Sequence, residues 1–437
     1  MTLAGLLAGA GEPWESDVVR ALQAPGSPVR LVRRCVDVAD AVATAASGQV
    51  EVALLGRDLP GVDTDVVSRL RAEGVLPVLL HATSDTDAQS LAELHARATR
   101  LAVLLLECTA PDLAGRLLQT VSEYRVALEP LDGSGARTRT PAADVDGVEA
   151  AAATSEASSP GRLVAVWGPT GAPGRSTVAL NLAAEAAGLG VRTLLIDADV
   201  YGGALAPMLA VLDEVSGLLA AARAANVGTL DEEALSAHTR LVTPGLSVLT
   251  GLPRADRWPQ LRPAAFAAVL AAARASAELV VVDCGFSLET DEELVFDVAA
   301  PRRNGATVQA LEDADVVLAV GSADPVGLMR LARGVVDLGE TVPGLDVRVV
   351  VNRVRPSLGW STEEVTTTVE RFTGLRPVAF LPVDTAALDR ALVTGRTLLN
   401  TAAESPLRRE LQLLAGELLH VVVRDRRGRR LVRKRTS

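Results

Sequence analysis

Short apolar runs alternate with segments of helical periodicity throughout residues 1–128. The apolar runs, which we predict to be β-strands, cover residues 2–8, 29–34, 51–56, 76–81 and 101–106. The helical segments between and after them cover residues 14–24, 37–47, 62–72, 86–96 and 111–127. Because a helix is the usual connection between parallel strands, the alternation predicts an α/β domain with helices on both faces of a parallel sheet.

The character of the chain changes at residues 129–160. Ala, Gly, Ser, Thr and Pro dominate this stretch, and large apolar residues are few. Such a composition offers little apolar surface to bury, so it is typical of a linker. We therefore predict a disordered linker over 129–160.

Strand and helix patterns alternate again over residues 161–420. The predicted strands are 162–167, 191–197, 246–250, 279–283, 315–320, 347–351 and 377–381. The expected fold class is therefore α/β, with two doubly wound parallel-sheet domains that are not repeats of each other. A basic tail over 421–437 follows the second domain.

Composition and charge narrow the function classes. Hydrophobic residues make up 49% of the chain and charged residues 22%, which excludes a mainly disordered protein. Aromatic residues are only 3%, which argues against a base-stacking platform for nucleic acid. The net charge is -11, although the last 14 residues carry eight basic groups and one acid. An acidic body with a basic end is not typical of a general nucleic-acid binder.

Cysteine usage and the amino-terminal segment bear on the compartment. Cys35, Cys108 and Cys284 lie far apart, with no metal-binding spacing, as is usual in a reducing environment. The first basic residue is Arg20, so the start lacks the charged region of a secretory signal. No apolar run approaches the length that spans a bilayer. We expect a cytoplasmic protein.

The most informative stretch is GPTGAPGRST, residues 168–177, which lies between a predicted strand and a helix. This is the layout of a P-loop, in which backbone N–H groups and the helix N-terminus hold phosphates and a hydroxyl binds Mg²⁺. Gly174 would let the backbone approach the phosphates, and Ser176 would bind the metal. Pro169 and Arg175 depart from the strict pattern, which has Gly and Lys there. A glycine-rich turn in an ordinary doubly wound domain is the alternative.

Three later strands end in polar residues that suit a nucleotide site. One ends in Asp197 and Asp199, a second ends in Asp283, and a third ends in Asn352 and Arg353. The second has the form of a Walker B strand, whose acid contacts Mg²⁺. Each feature alone is common in buried strands. Together, and after a phosphate loop, they favour nucleotide binding.

With these motifs, residues 161–415 resemble the MinD/ParA family of P-loop ATPases with a deviant Walker motif. Within it they look most like the CpaE/TadZ branch, in which a receiver-like domain precedes the ATPase. The family loop KGGxGK[ST] corresponds to residues 170–176, and the likeness extends to DADVYGG, VVVDCG, VVNRV and LPVDTAALDRAL. The resemblance implies ATP and Mg²⁺ as ligands, a homodimer that forms on ATP binding, and a role in placing pilus-assembly or septum machinery.

The resemblance also implies roles for individual residues. Asp199 and Arg175 would be catalytic, with Asp199 orienting the attacking water. Asp283 would be the Walker B acid, Asn352 would contact the adenine, and Ser176, Asp199 and Asp283 would form the metal shell. The nucleotide-binding residues would be Gly171, Ala172, Pro173, Gly174, Arg175, Ser176, Thr177, Asn352, Arg353, Pro382 and Asp384, the last two in a loop near the base.

Three departures from the family loop affect the expected chemistry. Thr170 replaces the signature lysine, which in the family reaches the partner subunit's phosphates, and Arg175 replaces the P-loop lysine. Pro173 removes one N–H from the cradle. The chain's one lysine is Lys434, and arginine is a planar, bulkier cation than lysine. Because such sites work by neutralising the transferring phosphate, we predict nucleotide binding with slow or absent hydrolysis, unless Arg175 or an arginine in trans substitutes. A non-hydrolysing scaffold is the alternative.

The first domain resembles a response-regulator receiver. The run EVALLGRDLPG matches the receiver strand that ends in the phospho-accepting Asp, but Gly56 stands at that point and Asp58 lies beyond it. The acidic pair expected after the first strand is missing, because the segment there reads AGAGEP. The lysine expected after the fifth strand is also missing, because the chain's one lysine is Lys434. A phosphoryl switch needs all three parts. We predict a pseudo-receiver over 1–128, used for localisation or dimerisation. A flavodoxin-like domain with no receiver ancestry is the alternative.

The basic tail has three possible functions. Its basic residues are Arg424, Arg426, Arg427, Arg429, Arg430, Arg433, Lys434 and Arg435. They could attach the protein to anionic lipid at the inner face of the cell membrane, at about 1 kcal/mol per residue near the surface. They could equally form a solvated tail that aids solubility. Nonspecific DNA binding, as in a partition protein, is the third and weaker reading.

Overall fold

The computed structural model describes residues 3–82, 88–109, 112–128, 160–171, 173–211, 215–289 and 302–423. The chain divides into two compact units, Met1–Ser158 with Ala225–Thr229 and Ser159–Ala224 with Leu230–Ser437. The expected linker (save Pro160), the basic residues of the tail and Ala172 lie outside the described residues, so the predictions for them stay predictions. No helix in the described ranges is long and apolar enough to cross a membrane.

The first unit contains a five-stranded parallel sheet. Its strands are β1 Leu3–Ala8, β2 Val29–Cys35, β3 Val52–Gly56, β4 Leu76–His81 and β5 Leu104–Glu107. Its helices are α1 Glu15–Leu22, α2 Val38–Ala45, α3 Thr64–Ala72, α4 Ala88–Arg100 and α5 Leu113–Leu128. The strand order is β2-β1-β3-β4-β5, the order of flavodoxin-like doubly wound folds. The predicted α/β class is confirmed.

The central strands of this sheet are apolar along their length because both faces are covered. On one face Leu54 packs in a core with Leu80, and on the other Leu55 packs with Leu70 of α3. All four side chains are fully buried. Burying one leucine stabilises a fold by about 1.5–3 kcal/mol, so these two cores hold the helices on the sheet.

The boundary between α4 and β5 differs from the prediction. The apolar run 101–106 was expected as a strand, but α4 continues to Arg100 and β5 begins at Leu104. Ala102 adopts a left-handed φ of 54°, and the Val103 N–H bonds back to the Ala98 carbonyl at 2.9 Å. Leu101 and Val103 are buried in this tight turn, so they are apolar without belonging to a strand.

The second unit contains an eight-stranded sheet. Its strands are β6 Arg162–Trp167, β7 Thr193–Ala198, β8 Arg240–Thr243, β9 Leu246–Leu249, β10 Leu279–Cys284, β11 Val316–Ser322, β12 Val347–Val354 and β13 Ala379–Pro382. Its helices are α6 Arg175–Gly188, α7 Leu205–Met208, α8 Gly217–Asn226, α9 Glu232–His238, α10 Pro263–Ser276, α11 Gly305–Glu312, α12 Pro325–Thr341, α13 Thr362–Thr373, α14 Thr385–Thr394, α15 Leu398–Thr401 and α16 Pro406–Leu418.

The strand order of this sheet is β13-β12-β11-β6-β10-β7-β9-β8. All pairings are parallel except that of β8, which runs antiparallel to β9 at one edge. The seven predicted strands are confirmed, and β8 is an addition. Its four residues are exposed or half-buried and show no alternation, so no sequence pattern marks the strand.

The first strand of this unit, β6, lies in the middle of the sheet between β10 and β11. The chain passes to one side of β6 for β7 and to the other side for β11. This reversal creates a crevice at the carboxyl ends of the strands, where α/β folds bind ligands. The helix that follows β6, α6, is buried from Val178 to Ala187, largely through small alanine side chains that let it lie close to the sheet.

Candidate functional site

The candidate phosphate-binding loop, residues 168–177, lies in this crevice between the end of β6 and the first turn of α6. It is called the phosphate loop below. Gly171 and Gly174 have left-handed φ values of 108° and 98°, conformations that favour glycine. The first bond within α6 runs from the Val178 N–H to the Gly174 carbonyl at 3.0 Å. The N–H groups of Arg175, Ser176 and Thr177 therefore precede the helical ladder and are available to a ligand. Together with the helix dipole they form a cradle for phosphate.

Arg175, the predicted substitute for the P-loop lysine, is bound to the protein itself. Its Nε donates to the Cys284 carbonyl at 3.1 Å, and its Nη1 donates to the carbonyls of Gly168 and Pro169 at 3.1 and 3.2 Å. Its Nη2 lies 3.4 Å from Oδ2 of Asp199. These four bonds use four of the five N–H donors of the guanidinium group. The side chain thus ties the loop to the ends of β10 and β7.

Asp283 lies at the end of β10, next to both β6 and β7, and is completely buried. Neither carboxylate oxygen has a hydrogen-bond partner within the described residues. Burial and the neighbouring Asp197 raise the pKa of Asp283 well above its ordinary value. The Ser176 hydroxyl and the Arg175 guanidinium oppose the rise, although neither makes a hydrogen bond of ordinary geometry to it. Both oxygens are therefore free to accept from a ligand.

Asp197 lies opposite Asp283 in the register of the parallel strands β7 and β10. Its side chain fixes the loop after β7. Its Oδ2 accepts from the Leu205 N–H at 3.0 Å and its Oδ1 from the Asp199 N–H at 3.3 Å. Burial raises the pKa of Asp197 to about 7. A Cβ at Gly251 would lie 2.6 Å from the Asp197 carboxyl carbon, so glycine is required there. Asp197 is a structural acid of the loop that carries Asp199.

Asp199, the predicted catalytic and metal-shell residue, is 7% exposed. Besides Arg175, its carboxylate accepts from the Tyr201 N–H at 3.0 Å. The Tyr201 ring stacks at a tilt on Phe286, with centroids 4.7 Å apart, and its hydroxyl donates to Asn304 at 2.7 Å. This cluster closes the site beside β10. The structure brings Asp199 to the loop, and its catalytic role stays a prediction.

Asn352 and Arg353 form the opposite wall, at the end of β12. The Asn352 amide donates to the Pro173 carbonyl at 2.7 Å, and its oxygen accepts from the Arg353 N–H at 2.8 Å. Asn352 is 8% exposed, so the structure places its side chain against the loop backbone. Arg353 is exposed and adopts a left-handed φ of 58°, which is uncommon for a residue other than glycine. Contact of Asn352 with adenine stays a prediction.

Pro382 and Asp384, predicted near the base, lie where β13 leads into α14. Pro382 is the last residue of β13. Asp384 caps α14 by accepting from the Ala387 N–H at 3.2 Å, and it also accepts from the Ser405 hydroxyl at 2.6 Å. Both carboxylate oxygens are engaged in holding this corner. A role in base recognition stays a prediction.

The predicted metal ligands suit an Mg²⁺ ion that takes few ligands from the protein. The described residues contain no group of three or more His, Cys, Asp or Glu side chains arranged to hold a metal. Mg²⁺ usually keeps several waters and takes only one or two carboxylates together with phosphate oxygens. The unpartnered oxygens of buried Asp283 and the hydroxyl of Ser176 at the start of α6 suit that mode.

Sequence reasoning missed two buried polar residues of α6. Asn181 accepts from the Leu398 N–H at 2.8 Å, which fixes α15. Glu185 is 2% exposed, and its Oε2 accepts from Nη2 of Arg408 in α16 at 3.1 Å. Nε of Arg408 lies 2.8 Å from Oε1, outside hydrogen-bond geometry. Polar residues at helical spacing in an alanine-rich helix were the available signal. Both anchor the helix that carries the phosphate cradle.

The first unit lacks a phospho-acceptor at the expected point. Gly56 ends β3, where a Cβ would lie 3.3 Å from the Trp14 ring and 3.5 Å from Oε1 of Glu12. Asp58 is exposed and pairs with Arg57 at 3.0 Å. Two acids do stand after β1, but Glu15 accepts from the N–H of Gly11 at 2.6 Å and of Glu12 at 2.9 Å. Glu15 therefore serves the loop backbone, and the absence of a receiver-type acidic pair stays a prediction.

Comparisons with known proteins agree with the fold of the second unit. No family model and no curated protein matches the chain. Among solved structures, a ParA family ATPase from Chlorobium tepidum TLS is similar with a TM-score of 0.50 and 20% identity, over 60% of this chain and 99% of that one. The MinD cell division ATPase of Pyrococcus furiosus gives 0.46 and 18%, over 60% and 99%. MinD from Aquifex aeolicus gives 0.46 and 18%, over 60% and 98%.

The ParA family structure defines the class of fold. The chain contains an α/β fold similar to that of this ParA-type P-loop NTPase. At 20% identity this likeness concerns the fold alone.

Proposed function

We propose that this chain is an ATP-binding spatial-positioning protein of the MinD/ParA type, similar to the CpaE/TadZ branch. It binds MgATP in the loop 168–177, pairs with a second copy on binding, and hydrolyses the nucleotide slowly or not at all. The observation that carries the proposal is Asp283, a fully buried carboxylate with two unpartnered oxygens beside a phosphate cradle. A buried acid whose oxygens have no hydrogen-bond partner is costly unless a ligand supplies the missing contacts.

The cradle supports a phosphate ligand and the neighbouring acid supports its metal. The N–H groups at the start of α6 and the two left-handed glycines present a concave, electropositive backbone. Ser176 places a hydroxyl at the second position of that helix. When bound, Mg²⁺ would be held by Ser176 and Asp283 and would supply positive charge against the phosphates. The residues present fit this ligand pair.

Slow hydrolysis is supported by the state of Arg175. Catalysis of phosphoryl transfer depends on cations aimed at the transferring group. Arg175 is 11% exposed and donates to three backbone carbonyls and to Asp199. Thr170 brings no charge to the signature position. In the family loop, two lysines direct positive charge at the phosphates. Neither Thr170 nor Arg175, which stand at those positions, directly replaces that function.

The biological role rests on the resemblance and on the ParA-type fold. We propose that the ATP-bound dimer places pilus-assembly or cell-division proteins, with the first unit as a pseudo-receiver that localises the molecule. We propose a cytoplasmic protein that attaches to anionic membrane through residues 424–437. Cosedimentation with anionic vesicles should be lost on deleting 424–437. If the truncated and full chains sediment equally, the tail has no such role.

Titration calorimetry with ATP in the presence of Mg²⁺ tests the core of the proposal. Wild type should bind at micromolar concentration, and EDTA should weaken binding. Asp283→Asn and Ser176→Ala should lose the Mg²⁺ dependence, whereas Ser276→Ala, a hydroxyl at the far end of α10, should behave as wild type. Asp283→Asn should change the melting temperature little, because it exchanges one unpartnered buried polar group for another of the same size.

The outcomes separate the two candidate functions. Mg²⁺-dependent binding that Asp283→Asn abolishes supports a nucleotide switch, and phosphate release can then be measured. Absence of binding at millimolar ATP would contradict the switch and leave a scaffold with an NTPase fold. Size-exclusion chromatography with and without ATP then tests whether binding drives pairing.

A further inference from the structure

A second cationic group lies on the phosphate loop, and no sequence motif marked it. Arg330 belongs to α12, on the β11 side of the loop. Its guanidinium sits directly over Gly171, so closely that a Cβ on Gly171 would collide with Nη1 of Arg330. The left-handed φ of Gly171 also disfavours any other residue. The fold thus brings an arginine to the stretch of loop where Thr170 left the signature position uncharged.

Arg330 differs from Arg175 in having no hydrogen-bond or ion-pair partner among the described residues. The described residues offer its side chain no hydrogen bond and no ion pair, and it is exposed. Arg175, in contrast, spends four donors on carbonyls and Asp199. Arginine has five donors in a planar fork that matches phosphate oxygens. A free guanidinium is therefore the group better placed to respond to a bound anion.

Arg330 shares a cavity with Arg353, whose side chain also lacks a partner within the part of the chain that the structure describes. The cavity measures about 60 Å³ and is lined by the loop, by the β11–α12 connection and by Arg330 and Arg353. That is several times the roughly 15 Å³ needed for one water molecule. Asp324 also lines the cavity, but its oxygens accept from the Ser322 hydroxyl at 2.5 Å and the Gly327 N–H at 2.9 Å. Two guanidinium groups with no partner among the described residues line the cavity with one engaged carboxylate, so the cavity favours an anion.

The position of the cavity indicates which part of a nucleotide it receives. In the proposed function the cradle at the start of α6 holds one end of a phosphate chain, and the cavity lies on the Gly171 side of the same loop. A cationic wall suits a phosphate rather than a base or a ribose. Resting on the proposed function, we propose that Arg330 contacts the terminal phosphate of a bound nucleoside triphosphate. It supplies the charge that the lysine-free loop lacks and makes the site prefer ATP over ADP.

Affinities for MgATP and MgADP, measured by calorimetry on the full chain, test the assignment. Arg330→Ala should weaken MgATP binding about 10- to 100-fold, as expected for a hydrogen bond to a charged group. MgADP binding should change less than about threefold. Arg333→Ala removes an exposed arginine one turn along the same helix and should leave both affinities unchanged. Arg330→Lys should restore most of the lost ATP affinity, because it restores the charge.

Two other results would overturn the assignment. An equal loss of ATP and ADP affinity in Arg330→Ala would show that the residue does not address the terminal phosphate. An unchanged ATP affinity, with wild type binding normally, would show that it makes no contact at all. If wild type binds neither nucleotide, the proposed function itself fails, and that result is distinct from both. Circular dichroism of each variant confirms that the exposed substitution leaves the fold intact.

Discussion

The side-chain amide of Asn352 donates a 2.7 Å hydrogen bond to the carbonyl oxygen of Pro173, in a buried contact. It joins the end of β12 to the middle of the phosphate loop, although the two residues are far apart in the chain. Gly174 belongs to the same contact, because a Cβ there would collide with the amide nitrogen. The shape of the loop is therefore held from outside as well as by its own glycines.

Replacing Asn352 with Ala should loosen the phosphate loop. The Pro173 carbonyl would lose its buried donor, and a lost buried hydrogen bond costs about 1–3 kcal/mol. Urea unfolding should show a fall of that size in the free energy of unfolding, and MgATP affinity should fall with it. Gln260→Ala, which removes an exposed amide at the end of the 3-10 helix Ala255–Gln260, should leave both unchanged. Equal behaviour of the two variants would mean that the loop is held by other contacts.

Restoring a lysine at position 175 should not restore a normal P-loop. An ammonium group cannot reach the separate carbonyls of Gly168, Pro169 and Cys284 as the guanidinium does. We expect Arg175→Lys to lower the free energy of unfolding by about 1–3 kcal/mol. Phosphate release from ATP should stay slow, because Thr170 is unchanged.

Arg192→Lys is the matched control for this substitution, since Arg192 lies at the surface near Glu278. It should leave stability and phosphate release as in wild type. A large gain in phosphate release for Arg175→Lys alone would contradict the reasoning and show that the loop lysine is the only missing part.

The buried pair of Glu185 and Arg408 should give stability a defined pH dependence. Burial raises the pKa of Glu185 from 4.5 to about 7, although Arg408 opposes the rise. The folded state then binds more protons than the unfolded state between about pH 4.5 and 7. Stability contributed at this site is therefore present at low pH and falls as pH rises through that window. The upper limit is about 3 kcal/mol, at about 1.4 kcal/mol per pKa unit.

Unfolding of wild type and Glu185→Gln across pH 5 to 8 measures this dependence, at about one-unit steps. The advantage of wild type over the variant should shrink as pH rises, because Gln does not titrate. Glu340→Gln, an exposed substitution late in α12, should run parallel to wild type. A constant difference between wild type and Glu185→Gln would show that the carboxyl is ionised throughout.

The first unit should not accept a phosphoryl group. Gly56 stands where an acceptor carboxylate is expected, and Asp58 is turned to solvent beside Arg57. After incubation with acetyl phosphate and Mg²⁺, intact-mass spectrometry should show no added phosphoryl group. Gly56→Asp should not gain one either, because no lysine is present in the unit to stabilise the product. Labelling of wild type at Asp58 would contradict the pseudo-receiver proposal.

Sequence patterns predicted most of the fold because parallel strands buried on both faces are written as continuous apolar runs. All seven parallel strands of the second unit were found in this way. β8 was not, because an exposed edge strand of four residues needs no apolar face. The run at 101–106 misled for the opposite reason, since Leu101 and Val103 are buried in a turn.

Those residues of the candidate site that belong to contiguous sequence motifs were predicted. The residues and contacts that only the fold brings to the loop were missed. Gly174, Ser176 and Asp283 belong to contiguous motifs, so their order along the chain reveals them. Arg330 lies on a helix with no motif, and only the neighbouring positions of β6 and β11 bring it to the loop. The internal bonding of Arg175 was also hidden, because its partners are backbone carbonyls that every sequence contains.

The two outer strands of the large sheet set a limit on how copies of this protein can associate. β8 and β13 each have four residues, and each has a register shift against its neighbour. β13 ends in Pro382, which has no N–H to donate to a further strand. Such short, irregular borders are poor templates for adding strands from another molecule. Growth of an open-ended filament by extension of this sheet is therefore disfavoured.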